Sequence, residues 1–197
     1  MRVNRLGCVR TRLTIEQRRA HLLGIGAELF ARHSYEQVSI EHVAEVAGVS
    51  HGLLYRYFPS KQTFFAAVIE AEGESLLDAS SPDPALSPLD QIKAGLDVYI
   101  ARAEHSPSAY RMAHQLGPID SAQDPTRQAR NAIQRDRVLN SVAALIPIEA
   151  ETPLAVTGWL AFTQTAILDW IDNPVISHRQ LRELCMRALH AAVKIPL

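Results

Sequence analysis

The 197-residue sequence has no apolar run long enough to span a bilayer. Its start, "MRVNRLGCVRTRLT", is basic and polar, without the hydrophobic block of a signal peptide. A cytoplasmic protein with no membrane partner is expected. Cysteine is scarce: Cys8 and Cys185 stand at opposite ends and form neither a metal-type nor a redox-type pair. Cys185 falls in an apolar helical stripe and reads as a small core side chain, while nothing near Cys8 argues for reactivity. The eight histidines show no HExxH or other ligand spacing, and GxSxG, P-loop and GxGxxG patterns are missing. Asp169 and Asp172 sit near a helix end and read as solvated charges. No metal, cofactor or catalytic residue is therefore expected, and the chain is not expected to be an enzyme.

Alternating strands are missing too, and helical periodicity dominates. The apolar fraction of 47% is that of a globular protein with a real core. A first helix is predicted from about Thr14 to His33. Ser39 caps a second, with Ile40, Val43, Ala44 and Ala47 as its stripe and Gly48 as its terminator. Ser50 caps a third, which must stop before Pro59. Ser60 caps a long fourth. After the break "ASSPDPALSP" (79–88), helices are expected near 88–105, 107–116, 124–146, 152–172 and 177–194. The fold class is all-α, with about nine helices.

The net charge of −1 conceals two halves. Residues 1–61 hold nine Lys/Arg against five acids, or +4, and the rest hold eleven against sixteen, or −5. A basic head on an acidic body suggests that only the head meets a polyanion. An arm charged merely for solubility is the plainer reading of the same numbers.

Two short helices joined by "AGVS" have the layout of a helix-turn-helix, whose second helix enters the major groove of DNA. At about 100° per residue, Leu54 and Phe58 share the face that packs on Ile40, Val43 and the first helix. Gly52, Leu53 and Arg56 point the opposite way, with Tyr55 and Tyr57 on its flanks. Gly52 allows close approach, Leu53 suits a thymine methyl, and Arg56 suits bidentate pairing with guanine. His51, at the exposed helix start, is a further base-reading candidate. Tyr55 and Tyr57 reach for phosphates on either wall of the groove. Ser39, Ser50 and Lys61, beside helix N-termini, are the other phosphate candidates. Taken singly, the tyrosines would read as core aromatics and Lys61 as a solvated charge; the conjunction of caps, turn, wheel and charge favours DNA. The leader arginines Arg2, Arg5, Arg10 and Arg12 fit either a minor-groove arm or a screening tail.

The stretch "SIEHVAEVAGVSHGLLYRYFPSK" resembles the DNA-binding domain of the tetracycline-repressor-like (TetR) family, over roughly residues 17–70. In that family the positions matching Ser39, Tyr55, Tyr57 and Lys61 contact the backbone, and those matching His51, Gly52, Leu53 and Arg56 lie at the bases. Ser34 departs from the glycine usual before the aromatic that matches Tyr35.

Three parts are expected: a flexible basic leader (1–13), a three-helix helix-turn-helix domain (14–61) and, as the resemblance implies, a larger helical effector-binding and dimerisation domain (62–197). It implies a double-stranded operator, a small-molecule effector and a homodimer formed through the last two helices. Ala155, Gly158, Ala161, Thr165, Leu181, Leu184, Ala188 and Ala192 are the interface candidates, with intramolecular core as the alternative for each. Tyr99, Arg102, Tyr110, Met112, His114, Trp159, Phe162 and Thr163 are the candidates for a mostly apolar effector pocket. The expected function is a ligand-released repressor on an inverted repeat. An activator of the same type, or a helical small-molecule binding protein or enzyme without operator recognition, is the alternative.

Overall fold

The computed structural model describes residues 13–115 and 125–194, the side chains of 112–115 excepted. Among them are nine helices and no strand: α1 (Ile15–Arg32), α2 (Ile40–Val46), α3 (His51–Tyr57), α4 (Lys61–Ala79), α5 (Pro88–His105), α6 (Pro107–Gln115), α7 (Pro125–Ala143), α8 (Thr152–Asp172) and α9 (His178–Val193). The leader arginines and Cys8 lie outside the described residues.

Local signals set the first four boundaries. Thr14 and Gln17 form a capping box on α1, and Ser60 and Thr63 form one on α4. Ser39 and Ser50 cap α2 and α3, accepting from the amides of His42 and Leu53. Gly48 turns the chain between them at φ 64°, in the left-handed region that only glycine enters without cost. Ser34 needs no such freedom: among the described non-glycine residues only Lys194 has positive φ. The departure at Ser34 is therefore compatible with the turn, and Tyr35 beyond it packs its ring against Phe30 and Phe65.

Two cores result. The first gathers Leu22, Phe30, Val43, Leu54 and Phe58 with Phe64 and Val68 of α4, so it reaches past residue 61. The second gathers α5, α8 and α9 around Leu96, Ile100, Trp159, Ile167, Cys185 and Leu189. Helix α4 runs from one to the other as a shared strut. Its approach to α1 is close: a methyl at Gly26 would lie 2.5 Å from the Phe64 ring and 2.7 Å from a Val68 methyl.

Charged pairs tie α5 to α9. His178 lies between Glu104 at 2.9 Å and Asp97 at 3.0 Å, and Arg182 donates to the second Asp97 oxygen at 2.8 Å. These fix the α9 start against the side of α5. No described helix is long and apolar enough to cross a membrane.

Candidate nucleic-acid interface and effector cavity

Helix α3 divides as the wheel requires. Leu54 and Phe58 are buried against α1 and α2, leaving the helix anchored by its apolar edge. His51, Gly52, Tyr55 and Arg56 are exposed, and the α3 sequence carries no acid that would neutralise them. Leu53 and Tyr57 are half-buried, Tyr57 packing partly on the first core. The flanking tyrosines are therefore unequal: Tyr55 is 44% exposed, and Tyr57 is partly buried. The Arg56 guanidinium stays near that ring, 6.0 Å from its centre.

The phosphate candidates sit on three helix starts. The exposed hydroxyls of Ser39 and Ser50 accept from their own helices and keep their protons for a further acceptor. Lys61 lies in the first turn of α4 with its ammonium 4.2 Å above the Tyr35 ring. A cation over an aromatic face is held in place yet keeps its charge. Each of these side chains stands at a helix N-terminus, where free amide groups favour an anion.

A cavity of about 1120 Å³ opens in the second half, walled by α4, α5, α6, α7 and α8. Tyr99, Arg102, Tyr110, Trp159 and Thr163 all line it. Tyr99 donates to Gln134 Oε1 at 2.9 Å, and Arg102 pairs with Glu72. Burial raises the phenol pKa of Tyr99 and, further, that of Tyr110, so both are neutral donors. Phe162 corrects the expectation: it is 41% exposed and faces away from the cavity, one helical step from buried Thr163. Met112 and His114 lie outside the described side chains.

Sequence reasoning missed the α7 wall. Arg127, Arg130, Gln134 and Arg137 recur at helical spacing and all face the cavity. That spacing was the available signal, though a polar stripe is normally the solvated face of a helix.

Of the interface candidates, Gly158, Ala161, Thr165 and Ala192 are exposed, while Ala155, Leu184 and Ala188 are half-buried. Leu181 is a correction: at 2% exposure it belongs to the chain's own core and is closed to any partner. Leu154, 76% exposed, extends the apolar strip on α8. A methyl at Gly158 would meet nothing within 4 Å, so nothing inside the chain requires a glycine there.

The fold and the outward face of α3 define a helix-turn-helix DNA-binding transcriptional regulator. The sequence model described as bacterial regulatory proteins, tetR family, matches residues 22–68, the stretch that holds α2, α3 and the start of α4. The chain is similar to the HTH-type transcriptional activator FasR of Mycolicibacterium smegmatis, 24% identical over 169 residues, or 82% of this chain and 76% of that protein. Its fold is similar to a tetR-family transcriptional regulator from Streptomyces coelicolor, with a TM-score of 0.72 and 23% identity over 91% of this chain and 80% of that one. It is also similar to FadR from Bacillus subtilis, solved in complex with stearoyl-CoA, with a TM-score of 0.65 and 12% identity over 88% of this chain and 97% of that one.

Proposed function

We propose that the protein is a homodimeric repressor that binds an inverted-repeat operator and is released by a small, mostly apolar ligand held in the cavity. One observation carries this reading: α4 contributes Phe64 and Val68 to the DNA-binding core and Ile69, Gly73 and Leu76 to the cavity wall. A ligand that prefers one setting of this helix also selects one setting of α3. The proposed division has three parts (1–13, 14–61, 62–197), with α4 reaching from the third part into the core of the second.

Base reading falls to His51, Gly52, Leu53 and Arg56, and phosphate contact to Ser39, Ser50, Tyr55, Tyr57 and Lys61. Lys61→Ala is expected to weaken binding to all sequences alike and to flatten the salt slope by roughly one unit. Arg56→Ala is expected to relax preference at one base pair per half-site, at about 1–3 kcal/mol. Titrating both variants against operator and scrambled duplexes over a range of salt tests this. Even losses across sequences for both variants would remove Arg56 from the bases.

A single α3 offers few base contacts, and two copies about 34 Å apart read successive grooves. The exposed strip on α8 and α9 supplies the seam, Gly158 admitting the second backbone closely. Gly158→Arg is expected to leave the helical signal and melting temperature intact but to give a monomer in light scattering, with operator binding lost. A dimer of undiminished stability would place the seam elsewhere. FasR, named an activator, favours a second sign of control by the same contacts. Mapping the protected site relative to the promoter upstream of the chain's own gene decides between them: overlap means repression, a position upstream of it activation. No specific protection at modest salt would sink both.

A further inference from the structure

The cavity is apolar at its deep end and cationic along α7. Among the residues lining it are five arginines and three glutamates. Glu72 is taken by Arg102, and Arg135 pairs with Asp136 next to it in the chain. Arg130 and Arg137 hold only neutral acceptors: Arg130 donates to the Glu70 carbonyl at 3.3 Å, and Arg137 to the Leu77 carbonyl and, at 3.1 Å, to the Ser81 hydroxyl. Neither forms an ion pair with Glu36 or Glu70, the remaining acids of the wall. Gly73 makes room for this: a methyl there would lie 2.9 Å from the Arg130 guanidinium carbon. At the other end Thr163, 93% buried, closes the lining of the cavity.

Resting on the reading of this cavity as the effector site, we propose that it takes an anionic amphiphile, its acid group seated between Arg130 and Arg137 and its acyl chain running inward past Leu96, Trp159 and Ile167 toward Thr163. Two half-buried guanidinium groups without a carboxylate are a standing demand for an anion, because a charge-assisted bond is worth roughly twice a neutral one. The surrounding apolar walls reward a chain and would penalise a free inorganic ion. The size leaves room for a chain, since the cavity of about 1120 Å³ lies just above the roughly 300–1,000 Å³ typical of ligand sites. The same two arginines hold the carbonyls of α4, so an anion that draws them away also loosens the strut leading to α3. Recognition and release then use the same atoms.

The test uses the full chain and displacement of Nile red, an uncharged probe, by dodecanoate, dodecanol and dodecanoyl-CoA at low salt. Dodecanoate is expected to displace the probe at roughly ten- to a hundredfold lower concentration than dodecanol. In Arg130→Gln/Arg137→Gln the two should become equal. Equal displacement by acid and alcohol in the wild-type chain overturns the proposal while leaving an effector cavity in place, and needs no variant to fold. Retention of the acid preference in the double variant also overturns it. Failure of Nile red to enter at all removes the effector reading together with the proposal. Tighter binding of dodecanoyl-CoA than of dodecanoate identifies the anion as a phosphate-bearing head, weaker binding as a free carboxylate, and either sustains the anion.

Discussion

Phe64→Ala lowers the melting temperature by roughly 6–20 °C and abolishes operator binding. The ring is fully buried where α1, the end of α3 and α4 meet. It packs edge-on to Phe58 at 5.0 Å and tilted against Phe30 at 6.2 Å. Removing a buried phenylalanine costs about 3–5 kcal/mol through lost transfer energy and the void left behind. In a chain of this length each kcal/mol shifts the midpoint by about 2–4 °C. The loss falls on the half that positions α3, because Phe58 is the residue that seats its C-terminal end. A companion experiment makes the mechanism specific. Gly26→Ala in the native background drives a methyl into the Phe64 ring, and overpacking of this kind costs about 1–3 kcal/mol. In the Phe64→Ala background the ring contact is gone and only the Val68 methyl at 2.7 Å remains, with vacated space beside it to move into; alanine's helix propensity is also better than glycine's by about 1 kcal/mol. Gly26→Ala should therefore be less destabilising than in the native background, a coupling that a double-mutant cycle in urea measures directly. Additive losses, or a midpoint shift under about 3 °C for Phe64→Ala alone, would show that the junction relaxes and that Phe64 is not its keystone.

The difference between the two halves in what the sequence reveals has a physical source. Ser39, Gly48, Ser50 and Ser60 act on bonds within three or four residues of themselves, so the four helices of the head and the outward face of α3 could be read from spacing alone. The inward face of α3 followed, since Leu54 and Phe58 had one face available. In the body the deciding contacts are remote. Arg130 meets the Glu70 carbonyl and Arg137 the Leu77 carbonyl, each across 60 residues of sequence. Before those pairings are known, a row of arginines on α7 is indistinguishable from a solvated face. Phe162 and Thr163 show the same limit on a smaller scale. Both suit a pocket by composition, and only the direction of the α5–α7 side of the bundle decides that Thr163 faces inward and Phe162 outward. Leu181 went astray for the corresponding reason on α9: an apolar stripe does not state whether its partner is the same chain or another.

Trp159→Ala is expected to cost about 3–5 kcal/mol, and Trp159→Phe a much smaller amount. The indole is 96% buried, lines the cavity with one part and donates its Nε1–H to the Cys185 carbonyl at 2.7 Å. It thus joins α8 to α9 while closing the deep end of the cavity. Phenylalanine keeps most of the bulk and removes the hydrogen bond, whose net worth is about 0.5–1.5 kcal/mol. The Cys185 carbonyl stays within the helical ladder of α9, so this loss leaves no stranded acceptor. Alanine removes the bulk as well, and the vacated volume merges with an existing cavity instead of collapsing, which keeps the cost near the top of its range. The consequences reach beyond stability. Gly158 and Ala161 of the proposed seam lie on the same two turns of α8, so a loosened α8–α9 pair should also shift the monomer–dimer equilibrium toward monomer. Thermal melts combined with light scattering over a concentration series separate the two effects. If Trp159→Ala melts within about 3 °C of Trp159→Phe, the indole is a liner of the cavity and not a tie between its helices. If it melts far lower yet dimerises as tightly, the seam does not depend on the α8–α9 packing and lies on another face.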